Sequence, residues 1–168
     1  MKNVVVLFIM VSLLFIIGCA TSEREPGTLS LEVEREPGEL TFEETGDPLC
    51  TYEGKPIVRK FATTWCPHCL WIEKTYTDVV NEYVDQGKIQ AYLWEINTGD
   101  NALTDYVEAH VPAEELAIYE KYNPKKTIPT FVFGCQYVRI GNGYETQGDL
   151  AAEEAEFREI IELLLANA

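Results

Sequence analysis

Hydrophobic and polar positions fall into blocks along this chain, and the blocks predict a β-α-β start, a long middle segment, a hairpin and a closing helix. Ile57-Val58-Arg59-Lys60-Phe61-Ala62 follows a Gly-Lys-Pro turn and is rich in strand formers, so it reads as a strand. Leu70, Ile72, Tyr76, Val79, Val80 and Tyr83 then recur at helical spacing. Pro67 suits the first turn of that helix and Gly87 its end. Ile89 to Ile96 reads as a second strand, parallel to the first through a right-handed crossover. Residues 101–122 read as helix in two pieces broken near Pro112. Asn101 would cap the first piece, with Leu103, Tyr106 and Val107 as its apolar stripe; Leu116, Ile118, Tyr119 and Tyr122 form the second stripe. Thr130–Phe133 and Tyr137–Ile140 read as a hairpin about Gly134-Cys135-Gln136. Phe157, Ile160, Ile161 and Leu164 mark a last helix over 150–165. These elements predict an α/β domain spanning residues 46–168.

Two other patterns precede it. Lys2 and the apolar run from Val4 to Ile17 suit a signal peptide over residues 1–18, a short run for a membrane span. Cys19 directly after Ile16-Ile17-Gly18 resembles the lipobox of bacterial-type lipoproteins, in which that cysteine carries the lipid. The alternative is an uncleaved anchor with an incidental cysteine. Either reading expects a chain tethered to the membrane on the extracytoplasmic face of the cell envelope. Residues 19–45 are acidic and contain EREPGTLSLEV at 23–33 and EREPGELTFEE at 34–44, an eleven-residue unit in tandem. Two copies are too few for a solenoid. The expectation is a spacer, with Leu29, Leu31 and Val33, or Leu40 and Phe42, as candidates for an added strand.

The formal net charge of −15 changes the picture in one respect: it repels phosphate backbones and argues against nucleic acid as a partner. The cysteines change it more. There are five, and an odd count in an exported chain needs a reason. Lipid on Cys19 would leave four, which an oxidising compartment can pair. Cys66 and Cys69 are close in sequence and leave Cys50 and Cys135. Zinc competes as an explanation of Cys66-Pro67-His68-Cys69, but no second ligand pair is present, and His110 is the only other histidine. No metal and no cofactor are expected.

Trp65-Cys66-Pro67-His68-Cys69 sits where the first strand enters its helix, and Ile128-Pro129-Thr130 precedes the third strand. With these two motifs, residues 50–168 resemble a thioredoxin-like domain, with a central mixed β-sheet flanked by helices. The resemblance implies a thiol-disulfide oxidoreductase acting on protein thiols and disulfides, together with a redox partner that regenerates it. In that role Cys66, at the helix N-terminus, is the nucleophile, because unpaired amides and the helix dipole favour its thiolate. Cys69 is the resolving thiol. Trp65 shields the site, and Ile128, a cis Pro129 and Thr130 shape the substrate groove. Strand directions in this fold bring Cys50 and Cys135 to the pole opposite Cys66, where they would form a structural disulfide.

The Pro67-His68 dipeptide matches the DsbA-type oxidants, in which histidine stabilises the thiolate and raises the potential. Ile128 instead resembles thioredoxin, a reductant. Lys60 stands where the family commonly has a buried acid; it would favour thiolates, or pair with Glu95. The expected function is therefore an oxidant-leaning exchange enzyme. Its alternatives are a reductant of envelope proteins, such as apocytochrome cysteines, and a non-catalytic binding module.

Overall fold

A computed structural model describes residues 39–168. The leader, Cys19 and the first repeat copy lie outside them. The described chain is mixed α/β. Its strands are β1 (Glu43–Glu44), β2 (Thr51–Tyr52), β3 (Lys55–Ala62), β4 (Gln90–Glu95), β5 (Asp100–Asn101), β6 (Thr130–Phe133) and β7 (Tyr137–Ile140). The helices are α1 (Pro67–Asp85), α2 (Ala113–Tyr122) and α3 (Leu150–Ala166). The sheet order is β1-β7-β6-β3-β4-β5, with β2 paired to the start of β3. β3 and β4 run parallel and the other pairs antiparallel.

β3 is central and buried along nearly its whole length because helices cover both faces of the sheet. Val58 and Ala62 on one side meet Ile72, Tyr76, Val80, Phe157 and Ile161 of α1 and α3. Phe61 on the other side meets Tyr119 of α2, with ring centroids 4.9 Å apart. The two clusters explain why β3 reads as a continuous apolar run rather than an alternating one.

Gly134 and Cys135, at φ of 60° each, form the tight turn between β6 and β7. A side chain at 134 would meet Leu164 and Leu49 at 2.4 and 2.7 Å, so glycine is required there. Cys135 is bonded to Cys50, with S–S 2.01 Å and Cα–Cα 5.4 Å. Cys50 N also donates to Gly134 O at 2.8 Å. The bond closes an 85-residue separation, a loop worth about 3–5 kcal/mol on the chain-entropy account.

Two expectations need correction. The spacer was expected to reach residue 45, but its described part, residues 39–45, is built into the domain. Phe42 is 5% exposed and packs on Phe131, Phe133 and Phe157, while β1 adds an edge strand to β7. Leu40 and Phe42 therefore mark a core contact just ahead of β1, and the charged residues around them masked that signal. The second correction concerns residues 101–122, of which only the part after Pro112 is helix. Asn101 caps nothing. Its Oδ1 accepts from Leu93 N at 2.9 Å and holds the 102–112 loop to the edge of β4. Tyr106 and Val107 are 67% and 83% exposed, so of the expected stripe only Leu103 packs on the core.

Arg139 on β7 holds the segment around Thr41 against α3. It donates to Glu156 and Glu153 at 2.8 and 2.6 Å and to Thr41 Oγ1 at 2.9 Å. Thr41 N and Oγ1 donate to Glu156 in turn. The guanidinium lies over the rings of Phe42, Phe131 and Phe157 at 4.6–4.9 Å. A basic residue on an otherwise apolar strand is thus a buried staple.

Candidate functional site

β3 delivers the chain to the cysteine pair. The strand ends at Ala62, Thr63 stays buried, Thr64 is exposed, and Cys66 is the N-cap of α1 with φ −77° and ψ 117°. Pro67 occupies the first helical turn, where its missing N–H costs no hydrogen bond. Cys69 N donates to Cys66 Sγ at 3.3 Å. The sulfur thus receives one of the amides that a helix N-terminus leaves free, an arrangement suited to negative charge. Both cysteines are free thiols and both are buried. Burial, together with the hydrogen bond to Cys66, pushes the Cys69 thiol up to about 12. One thiol is therefore addressed by a helix amide, while its neighbour stays protonated across the physiological range.

The Ile128–Pro129 peptide is cis. Phe61 pairs with Thr130 across β3 and β6, which sets Pro129 beside the end of β3, from which the Cys66 turn departs. A loop after β7 links the two motifs. Gly141 N donates to Pro129 O at 2.8 Å, and Asn142 Nδ2 donates to His68 O at 2.9 Å. Ile128 is half-buried and Pro129 buried. Thr130 is 0% exposed, and its hydroxyl is committed to Thr127 O and Asn123 Nδ2 at 2.7 Å each. Thr130 is therefore an internal brace of this segment and presents no side chain at the surface.

Two other residues differ from expectation. Trp65 is 70% exposed and stands out from the surface rather than covering the sulfurs. His68 does not hydrogen-bond Cys66. Its Nδ1 lies 2.8 Å from Glu145 Oε1, and Asn142 Nδ2 donates to the other Glu145 oxygen at 2.7 Å. Glu145, Asn142 and Asn123 were not legible in the sequence: they lie in connecting segments, and only the Gly-Asn-Gly at 141–143 hinted at a turn.

Lys60 is the least expected member of the site. It is 0% exposed, and its ammonium donates from Nζ to Cys69 O at 3.0 Å, the one side-chain hydrogen bond it makes among the described residues. The anticipated pair with Glu95 does not form; Glu95 Oε2 accepts from Thr98 instead. β3 places Lys60 opposite Leu93, whereas Glu95 is opposite Ala62, two residues along. Desolvation pulls the ammonium from its ordinary 10.5 down to about 8, against the opposing pull of Glu73, Cys69, Cys66 and Glu95.

This has a measurable consequence for stability. Between about 8 and 10.5 the unfolded chain holds a proton on Lys60 that the folded chain has lost, so stability from this group rises with pH across that window. Cys69 acts oppositely: from 9.0 to about 12 the folded chain keeps a proton that the unfolded chain has lost, and stability falls. Below pH 8 the buried Lys60 charge costs about 3 kcal/mol. Lys60→Met removes that cost and also a hydrogen bond worth about 1 kcal/mol. The reduced variant should therefore be about 2 kcal/mol more stable than the parent at pH 7, with the gain shrinking as pH approaches 10.5. Urea midpoints at both pH values check this.

Among the described residues no three His, Cys, Asp or Glu side chains are grouped as a metal ion would require. His110 is exposed in the loop before α2. No helix of the described residues is long and apolar enough to cross a membrane. The chain matches no family model, no curated protein and no solved structure.

Proposed function

We propose that this chain is a thioredoxin-like thiol-disulfide oxidoreductase, tethered by lipid on Cys19 to the extracytoplasmic face of the envelope and acting on protein thiols and disulfides. The observation that carries the reading is the Cys66–Cys69 pair at the start of α1, with a helix amide on one sulfur, a proton held on the other and a cis proline at the adjoining strand end. In the oxidising direction, a substrate thiolate attacks the Cys66–Cys69 disulfide at Cys66 and Cys69 leaves as a thiolate that takes up a proton. A second substrate thiolate then attacks the substrate sulfur of the mixed disulfide and releases Cys66 as a thiolate. The substrate is oxidised by two electrons and the pair is reduced by two.

Lys60 favours this direction. A buried ammonium behind the sulfurs lowers the energy of the reduced, thiolate-bearing pair relative to the neutral disulfide. The reductant reading draws on Glu145, whose carboxylate offsets the charge of a protonated His68. Equilibration with glutathione buffers distinguishes them. The oxidant reading expects a potential well above thioredoxin's, toward about −120 mV rather than about −270 mV. It also expects Lys60→Met to shift the equilibrium toward the disulfide at least tenfold, about 30 mV more negative. A parent value near thioredoxin's would overturn the direction, and a pair that does not exchange with glutathione would overturn the enzyme.

A further inference from the structure

A cavity lies at the β4–β5 edge of the sheet and shares no residue with the cysteine pair at the end of β3. β5 covers only Trp94 and Glu95, so the outer edge of β4 from Gln90 to Leu93 has no strand partner. The 102–112 loop is tied to this edge only at Leu93, through Ala102 N and Asn101 Oδ1, and the cavity of about 530 Å³ lies beside it, a volume in the range of small-molecule sites. Four aromatic residues line it: Tyr52, Tyr92, Trp94 and Tyr106. Tyr92 and Trp94 stack with centroids 5.6 Å apart and an interplanar angle of 18°. Tyr52 and Tyr106 are 53% and 67% exposed, so their rings are open to a ligand in the cavity.

The wall is also negative. Glu108 and Glu114 line the cavity, as does Glu115, and no lysine or arginine does. Glu115 is neutralised from behind by Arg59 at 2.7 Å and fixed by Trp94 Nε1 at 3.1 Å. Glu108 is held in place by Asn101 N and the Thr104 hydroxyl at 3.0 and 3.1 Å, and neither carries a charge. The Glu114 carboxylate makes no hydrogen bond or ion pair among the described residues. A fixed carboxylate and a free one beside tyrosine rings form an environment that a cation satisfies and a neutral ligand leaves uncompensated. Asn101 adds a polar donor: it is 3% exposed and lines the cavity. Its Oδ1 is taken by Leu93 N and Leu103 N, while its Nδ2 has no partner among the described residues.

We propose that this cavity binds an organic cation of the alkylammonium class, its charge between the tyrosine rings and Glu108 and Glu114 and an oxygen acceptor on the Asn101 amide. The proposal is independent of the thiol chemistry. Calorimetric titration of the full chain with choline tests it, with 3,3-dimethylbutan-1-ol, the same shape without the charge, as the comparison. Choline should saturate a single site at least tenfold more tightly than the alcohol. Tyr106→Ala should weaken choline about tenfold, one ring of cation–π attraction. Glu114→Gln should weaken choline but not the alcohol. Both side chains are exposed and both variants should unfold at the parent's urea midpoint. Absence of saturable choline binding, equal affinity for the alcohol, or choline binding unchanged in both variants would each overturn the proposal.

Discussion

Cys69→Ala should accumulate covalent adducts with client proteins through Cys66, and Cys66→Ala should accumulate none. The asymmetry follows from the N-terminus of α1. Cys66 Sγ receives the amide of residue 69, whereas the Cys69 thiol is pushed up to about 12 by burial and its bond to Cys66. Attack on a disulfide requires a thiolate, and a thiol at about 12 presents about one thiolate in 10⁵ molecules at pH 7. On the proposed function, Cys66 starts the exchange and Cys69 acts only once a mixed disulfide is held beside it. Without Cys69 that intermediate has no internal exit. Non-reducing gels of the two variants after exposure to envelope extracts should show high-mass, thiol-sensitive bands only for Cys69→Ala. Catalysed insulin reduction should fall at least a thousandfold in Cys66→Ala. Equal adducts from both variants would remove the distinction between the sulfurs.

Arg139→Met should produce the largest loss of stability from a single change in the described chain. Arg139, Glu153 and Glu156 are 4%, 0% and 4% exposed, so the substitution leaves two carboxylates buried without their counter-ion. Breaking a buried pair in this way costs about 3–5 kcal/mol. It also loosens the Thr41–Glu156 contact that holds residues 39–44 on α3. Replacing all three residues, as Arg139→Met, Glu153→Leu and Glu156→Leu, should recover most of the loss, because no charge is then stranded. Urea midpoints at pH 7 measure both; a single variant within 1 kcal/mol of the parent would show the network to be dispensable.

The parts of the fold that were legible in the sequence are those whose burial leaves a period. α1 and α3 show their apolar faces as three- and four-residue spacings, and the β6–β7 hairpin shows its turn as Gly134-Cys135. What escaped was decided by tertiary context. Residues 101–111 have helical spacing, yet Asn101 ties them to the β4 edge and Tyr106 and Val107 face water, so no packing surface rewards a helix. Leu40 and Phe42 pack on the core although Glu39, Glu43 and Glu44 flank them, because the segment just ahead of β1 lies over Phe131, Phe133 and Phe157. Cys66, Cys69 and Pro129 were legible as motifs. Their supporting residues, Asn123, Asn142 and Glu145, act through contacts between segments far apart in sequence and leave no local signature. Lys60 was visible as an anomaly, but its partner was not: the choice of Cys69 O over Glu95 depends on a register that no spacing encodes.

The central claim is that α1 makes Cys66 the reactive sulfur and leaves Cys69 protected. Time-resolved alkylation of the reduced full chain with iodoacetamide at pH 7, read by mass spectrometry of the peptides carrying each cysteine, tests it most directly. The account expects Cys66 to be modified at least a hundredfold faster than Cys69. Comparable rates at the two positions, or faster modification of Cys69, would contradict it.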